Sequence, residues 1–198
     1  MPDFYTTVRE RRTYYNISKN SPVSDECIKK LIKNAILYSP SAFNSQSARV
    51  VLLFGENHDK LWQITLETLR KIVPEKDFAP TEERINSFMA GYGTILYFED
   101  DNPIKQMQEE FPLYKDSFPK WSLESSGMLQ FVVWASLEKE GLGASLQHYN
   151  PLIDEEVKAI WNIPPSWQLI AEMPFGTPTA QPDEKTFLPF KDRFRVEK

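Results

Sequence analysis

The sequence predicts an α+β fold, and three observations carry that prediction. Residues 50–54, 94–98 and 167–175 are short runs of apolar, β-branched and aromatic residues, the composition of strands. Between them lie stretches with apolar residues at helical spacing. Residues 121–140 are apolar on every side over a length that only a helix covers.

The chain has 198 residues, enough for one domain with a real core. No composition break, repeat or low-complexity tract divides it, so residues 1–198 are expected to form a single domain. Hydrophobic residues make up 41% and charged residues 26%, as in ordinary globular proteins. The net charge is −5 and no Lys/Arg cluster exceeds a pair, which argues against nucleic acid as a partner. The one cysteine, Cys27, has no internal partner and fits a reducing compartment. Charged residues crowd the start, from Asp3 to Arg12, and no apolar run reaches bilayer length. The expectation is a cytoplasmic protein with no membrane partner. His58 and His148, far apart and with one cysteine in total, give no metal-site spacing.

In chain order, Asp3 caps a first helix through Glu10, with Phe4, Tyr5 and Val8 on one side. Arg11-Arg12-Thr13 follows. It has the make-up of an anion site, and equally of a solvated surface pair. Ser24 caps a second helix, with Asp25 and Glu26 in its first turn and Ile28, Leu31, Ile32, Ala35 and Ile36 inward. That helix stops before Pro40, at a loop of hydroxyls and amides: Ser39, Ser41, Asn44, Ser45, Gln46 and Ser47. Such a surface suits a neutral, flat, hydrogen-bonding ligand such as a flavin ring, and it also suits a turn whose side chains cap backbone groups. The strand at 50–54 reads as buried on both faces.

Asn57 is expected to cap a third helix with Leu61, Ile64 and Leu69 inward, and residues 81–90 form a fourth. Gly91-Tyr92-Gly93 breaks it before the strand at 94–98. The proline-interrupted segment 103–120 reads equally as a pocket lid or a surface loop. The helix at 121–140 is too apolar for one chain of this size to enclose, and a second copy of the chain is the natural cover. Gly141 ends it, residues 144–150 read as a strand, and Ile153 and Asp154 begin a short helix with Val157, Ile160 and Trp161 inward. The tail from Thr177 carries Phe187, Phe190 and Phe194 and reads as packed either on its own domain or around a neighbouring subunit.

Several chemistries find no support. Gly141-x-Gly143 lacks a third glycine and lies after a helix rather than before one, unlike a dinucleotide fingerprint. No Walker loop or G-x-S-x-G occurs. The acidic pairs Asp100-Asp101 and Glu155-Glu156 read as solvated.

Four motifs remain, in order: Arg11-Arg12-Thr13, Ser39 to Gln46 (SPSAFNSQ), Gly141 to Ser145 (GLGAS), and Lys191-x-Arg193. In these the chain resembles the FMN-dependent nitroreductase superfamily, in its short branch, over nearly its whole length. The resemblance implies helices around a central, mostly antiparallel sheet, in a homodimer with shared active sites. It implies FMN as cofactor and NADH or NADPH as electron donor. It further implies a ping-pong transfer of two electrons to small nitroaromatic or quinone-type acceptors. Arg11, Arg12 and Thr13, with Lys191 and Arg193, match the residues that hold the phosphate and ribityl chain. Pro40, Ser41, Ala42, Asn44 and Gln46 match the flavin-touching loop, partly from the other subunit. Gln147, His148 and Tyr149 fall where backbone N–H groups meet the ring. No side chain need be an essential base. Phe43, Phe78, Tyr92 and Trp121 are candidate walls of the acceptor pocket. Tyr15 departs from the pattern, because the family usually carries Arg or Lys there. That departure leaves room for a flavin-binding sensor with little turnover.

Overall fold

A central sheet in the order β1-β5-β3-β2 organises the computed structural model, which describes residues 3–198. Its strands are β1 (Ile17–Ser18), β2 (Ala48–Phe54), β3 (Gly93–Asp100), β4 (Gly143–Ala144) and β5 (Trp167–Pro178). All pairs between them are antiparallel, and β4 joins β5 beside β1. Seven α-helices surround the sheet among the described residues: α1 (Phe4–Glu10), α2 (Asp25–Tyr38), α3 (Glu56–Arg70), α4 (Ala79–Met89), α5 (Asp101–Glu110), α6 (Phe118–Lys139) and α7 (Asp154–Trp161). The α+β expectation holds, and so does the antiparallel sheet.

Two apolar cores result, one on each face. On one face Ile28 and Ile32 of α2 and Leu129, Val133 and Leu137 of α6 cover Ile95, Tyr97, Ala171 and Met173. On the other, Leu61 and Trp62 of α3, Ile85 and Phe88 of α4 and Val157 of α7 cover Leu96, Phe98 and Leu169. Every residue of β3 is buried, as a strand sandwiched between helix layers requires. Local signals set many boundaries. The Asp3 side chain accepts from the Thr6 N–H and that of Ser24 from the Cys27 N–H, each meeting an otherwise unpaired helix donor. Gly141 ends α6 at φ +81°, a conformation that L side chains rarely adopt.

The structure corrects several expectations. Strand β2 pairs only with β3, so it is an edge strand, and of its residues only Leu53 is buried. Helix α3 starts at Glu56 with Gly55 as its cap, and Asn57 instead accepts a hydrogen bond from the Trp161 indole at 2.9 Å. Of residues 144–150, only Ala144 lies in a strand, and Gln147 makes an isolated bridge to Glu172. Asp100 is buried rather than solvated: it caps α5 and pairs with Arg49 at 2.9 Å. Ile36 and Ile160 point outward, as do Phe4 and Tyr5 on α1.

In a single chain α6 is not covered all round. Leu123, Met128, Phe131 and Val132 form an exposed apolar stripe on it. The end of the tail does not pack on its own domain either: Phe187 and Phe190 are each 73% exposed. No helix among the described residues is long and apolar enough to cross a membrane.

Candidate active site

The chain leaves α1 at Arg11 and turns along α6. The Arg11 guanidinium sits 4.3 Å from the Trp134 ring centre. Burial draws its pKa down, against the pull of Glu138, and its Nε is buried without a partner. Arg12 donates to the Asp183 carbonyl in the tail. Thr13 bridges to Ala144, and the Tyr14 N–H donates to the Ala144 carbonyl at 3.0 Å. Gly143 permits this approach, because a Cβ there would stand 2.7 Å from Tyr14 Cγ. Thus the first basic motif and the segment after α6, distant in sequence, meet along one seam. A cavity of about 250 Å³ opens beside it, lined by Arg12, Thr13, Tyr15, Asn16, Gln181 and Asp183 among others.

From that seam residues 145–149 run as a ledge over β5. The Gln147 N–H donates to the Glu172 carbonyl at 2.7 Å, and the Glu172 N–H returns to the Gln147 carbonyl at 3.0 Å. The Tyr149 N–H donates to Glu172 Oε2 at 3.0 Å. The His148 N–H has no partner among the described residues, and its side chain is exposed. Tyr149 packs edge-on against Trp62, with ring centres 6.0 Å apart.

Tyr15 stands at the other side of the seam. Its ring lies 6.4 Å from that of Phe88, and the guanidinium of Arg84, on α4, is 4.7 Å from its centre. The cation that the local sequence lacks at position 15 is therefore brought in from α4. Nothing near Tyr15 in the chain announces Arg84, which only the packing of α4 delivers.

The loop after α2 is wound tightly. Phe43, Asn44 and Gln46 have φ of 53°, 54° and 48°. Left-handed backbone is costly for Phe and Gln and tolerated by Asn. The Ser41 hydroxyl holds the turn by accepting from the Gln46 N–H at 3.0 Å. Phe43 stacks on Trp121 at 6.1 Å and 19°, inside a cluster with Phe111, Tyr114 and Phe118. A cavity of about 180 Å³ runs beneath Ser39, Pro40, Ser41 and Gln46 towards Ser125. At its base the Ser47 hydroxyl is 2.5 Å from Glu99 Oε2. Burial lifts the Glu99 carboxyl to about 7, with Ser47 and Arg49 pulling the other way.

Within one chain these parts do not all converge. The loop 39–47 packs on the first half of α6, near Trp121, whereas Arg11 packs near its end, on Trp134. The two rings are separated by about 20 Å of helix axis at 1.5 Å per residue. Lys191 and Arg193 lie at the far end of the exposed tail and do not reach Arg11, Arg12 and Thr13. Two of the expected pocket walls are structural instead. Phe78 is buried in the second core with the Arg70 guanidinium 4.3 Å over its ring. Tyr92 packs on Phe54 and Phe175, and its hydroxyl is 2.5 Å from Asp25 Oδ1. Among the described residues no cluster of three His, Cys, Asp or Glu could hold a metal ion.

The sequence model of the Nitroreductase family matches residues 8–177. The chain belongs to the nitroreductase family. HBN1 of Saccharomyces cerevisiae is 34% identical over 187 residues, with 93% of each chain covered. The nitroreductase CinD from Lactococcus lactis, solved with chloramphenicol, is 43% identical at a TM-score of 0.91, covering 99% of this chain and 100% of that one. The same enzyme has also been solved with 4-nitrophenol, at 44% identity and a TM-score of 0.90. A more distant neighbour from Exiguobacterium sibiricum, solved with FMN, is 15% identical at a TM-score of 0.74 over 100% of this chain and 98% of its own, a likeness of fold. In this member of the family, Tyr15 and Tyr149 both pack on Phe88, whereas the loop 39–47 packs elsewhere, on Trp121.

Proposed function

We propose that the chain is an FMN-dependent oxidoreductase that works as a homodimer and reduces nitroaromatic or quinone-type acceptors with NADH or NADPH. One observation carries this reading: Arg11, Arg12 and Thr13 are joined to the ledge 144–149 by the Tyr14–Ala144 hydrogen bond. That places guanidinium groups and a hydroxyl at one end of a surface whose other end offers a free backbone N–H. The donors suit a phosphate at the first end and a flat acceptor-edged ring at the second. The orphaned, buried Arg11 Nε and the unpartnered His148 N–H are what such a cofactor would satisfy.

Bound there, FMN would supply the two-electron redox chemistry. The protein's part is to bind and orient. Arg11, Arg12 and Thr13 hold the phosphate end, and each charge-assisted bond contributes about 1.5–3 kcal/mol. Pro40, Ser41, Ala42, Asn44 and Gln46 complete the site from the second subunit, and the tail of one subunit brings Lys191 and Arg193 to the site of the other. The separation of these groups along α6, the apolar stripe on α6 and the exposed Phe187 and Phe190 all support a shared, two-chain site. Phe43 and Trp121 present an aromatic wall to a flat acceptor. That CinD was solved with two nitroaromatic compounds supports the acceptor class. Arg84 beside Tyr15 favours turnover over a sensing role, since a nearby cation stabilises negative charge on a reduced ring.

The test is direct. The purified protein should be yellow and dimeric, and anaerobic mixing with NADH or NADPH should bleach it fully, with colour returning on addition of a nitroarene. A colourless monomer indifferent to added FMN would overturn the cofactor and the dimer. Slow, incomplete bleaching with both nucleotides would overturn the enzyme and leave the sensor.

A further inference from the structure

Glu172 is the acid that the site as described does not use. It interrupts an otherwise apolar run in β5, is 0% exposed, and lies opposite Leu96 of β3. An acid in such a place is costly unless something needs it. Its backbone exchanges two hydrogen bonds with Gln147, and its Oε2 accepts from the Tyr149 N–H. Both neighbours of His148 are therefore turned inward to one residue. In extended backbone, alternate N–H groups face opposite ways. The intervening His148 N–H is thus turned outward, where it has no partner. Glu172 Oε1 is buried and also unpartnered.

We infer that Glu172 is a positioning residue: it clamps Gln147 and Tyr149 so that the His148 N–H between them is offered to the flavin ring. The inference rests on the reading that FMN lies along the seam and the ledge. A second consequence follows from charge. Burial, aided by Asp154 and opposed by the Tyr149 N–H, lifts the Glu172 carboxyl to about 8. Facing this region are the Tyr149 hydroxyl, Asp154 at the start of α7 and Arg84 on α4. Arg84 is the one lasting cation among them. Ionised Glu172, which makes no ion pair among the described residues, adds a negative charge behind the ledge and disfavours negative charge on a reduced ring. The potential of bound FMN therefore falls more steeply with pH above about 8 than that of an enzyme without this acid.

The experiment measures the FMN dissociation constant and the midpoint potential of bound FMN against pH for wild type, Glu172→Gln and Glu172→Met. The Gln variant keeps an acceptor for the Tyr149 N–H and cannot ionise. It should bind FMN like wild type near neutral pH and lose the extra fall at high pH. The Met variant leaves that N–H unpaired and should bind FMN about tenfold more weakly at every pH. A Gln variant whose potential steepens as wild type does would overturn the electrostatic half. A Met variant matching wild type in affinity and potential would overturn the clamp. If Met does not fold, the Gln variant still decides, because loss of FMN affinity near neutral pH despite its intact acceptor would contradict the clamp. Wild type that binds no FMN would instead overturn the reading of the site.

Discussion

The guanidinium of Arg84 lies 4.7 Å from the centre of the Tyr15 ring. This pair joins the start of the chain to α4 and puts a positive charge at a place where the local sequence provides only a phenol. A solvent-exposed pair between this cation and a negatively charged reduced ring contributes about 0.5–1 kcal/mol. Arg84→Leu is accordingly expected to lower the midpoint potential of bound FMN by roughly 10–20 mV, on the two-electron conversion of about 30 mV per 1.4 kcal/mol. Spectroelectrochemical titration reads this, and Arg84→Lys should recover most of it. An unchanged potential in Arg84→Leu would detach this arginine from the ring.

Phe43 is held in left-handed backbone and stacked on Trp121. Strained residues persist where surrounding structure over-determines them. Removing the ring by Phe43→Ala should weaken acceptor binding by about 0.5–1.5 kcal/mol, or roughly 2- to 13-fold in KM for nitroaromatics. Steady-state kinetics with a nitroaromatic and with a small non-aromatic acceptor separate the cases. Equal losses for both would mean that the ring supports the loop rather than the acceptor.

The stripe on α6 gives a test of assembly. Phe131 and Met128 are exposed in one chain and lie one turn apart. Phe131→Glu would place an unpaired charge in the proposed interface. Dimer dissociation should strengthen by about tenfold or more, and FMN retention should fall with it. Light scattering across a dilution series, with flavin absorbance recorded on the same samples, measures both. A tight dimer in this variant would move the interface elsewhere.

Two buried acids make stability depend on pH. Burial lifts Glu99 to about 7 and Glu172 to about 8, both above the ordinary carboxylate value of 4.5. The folded state therefore holds protons that the unfolded chain releases. The stability these groups contribute is fully present below about pH 4.5 and is lost as pH rises through about 7 and then 8. The melting temperature should fall by several degrees between about pH 6 and pH 9, and the fall should shrink in Glu172→Gln. A flat profile across that range would mean that one or both acids titrate normally.

Much of this was legible from residues with strong local meaning. Asp3 and Ser24 cap the helices that the sequence assigns to them, and α4 ends just before Gly91-Tyr92-Gly93, where β3 begins. Long-range packing was not legible. An apolar run such as that at 50–54 fits a central strand, yet β2 is at the edge, because nothing in a strand's own residues names its neighbours. Phe78 and Tyr92 have the composition of pocket walls, but aromatic rings alone do not separate pocket from core. Glu172 left one signal, an acid between Ala171 and Met173 in a strand of apolar residues. Arg84 left none, since its meeting with Tyr15 depends on how α4 packs.

The position of β2 also bears on how the protein comes to be made. A newly synthesised copy displays an open strand edge along residues 48–54 and, nearby on α2, bare Leu37 and Tyr38. Such an edge is a template for any extended peptide, including another unfinished copy. Maturation is then a race whose outcome is set by crowding of nascent chains. Slow synthesis favours correct companions, and heavy overproduction favours clumps, so the soluble fraction should drop as expression is pushed upward.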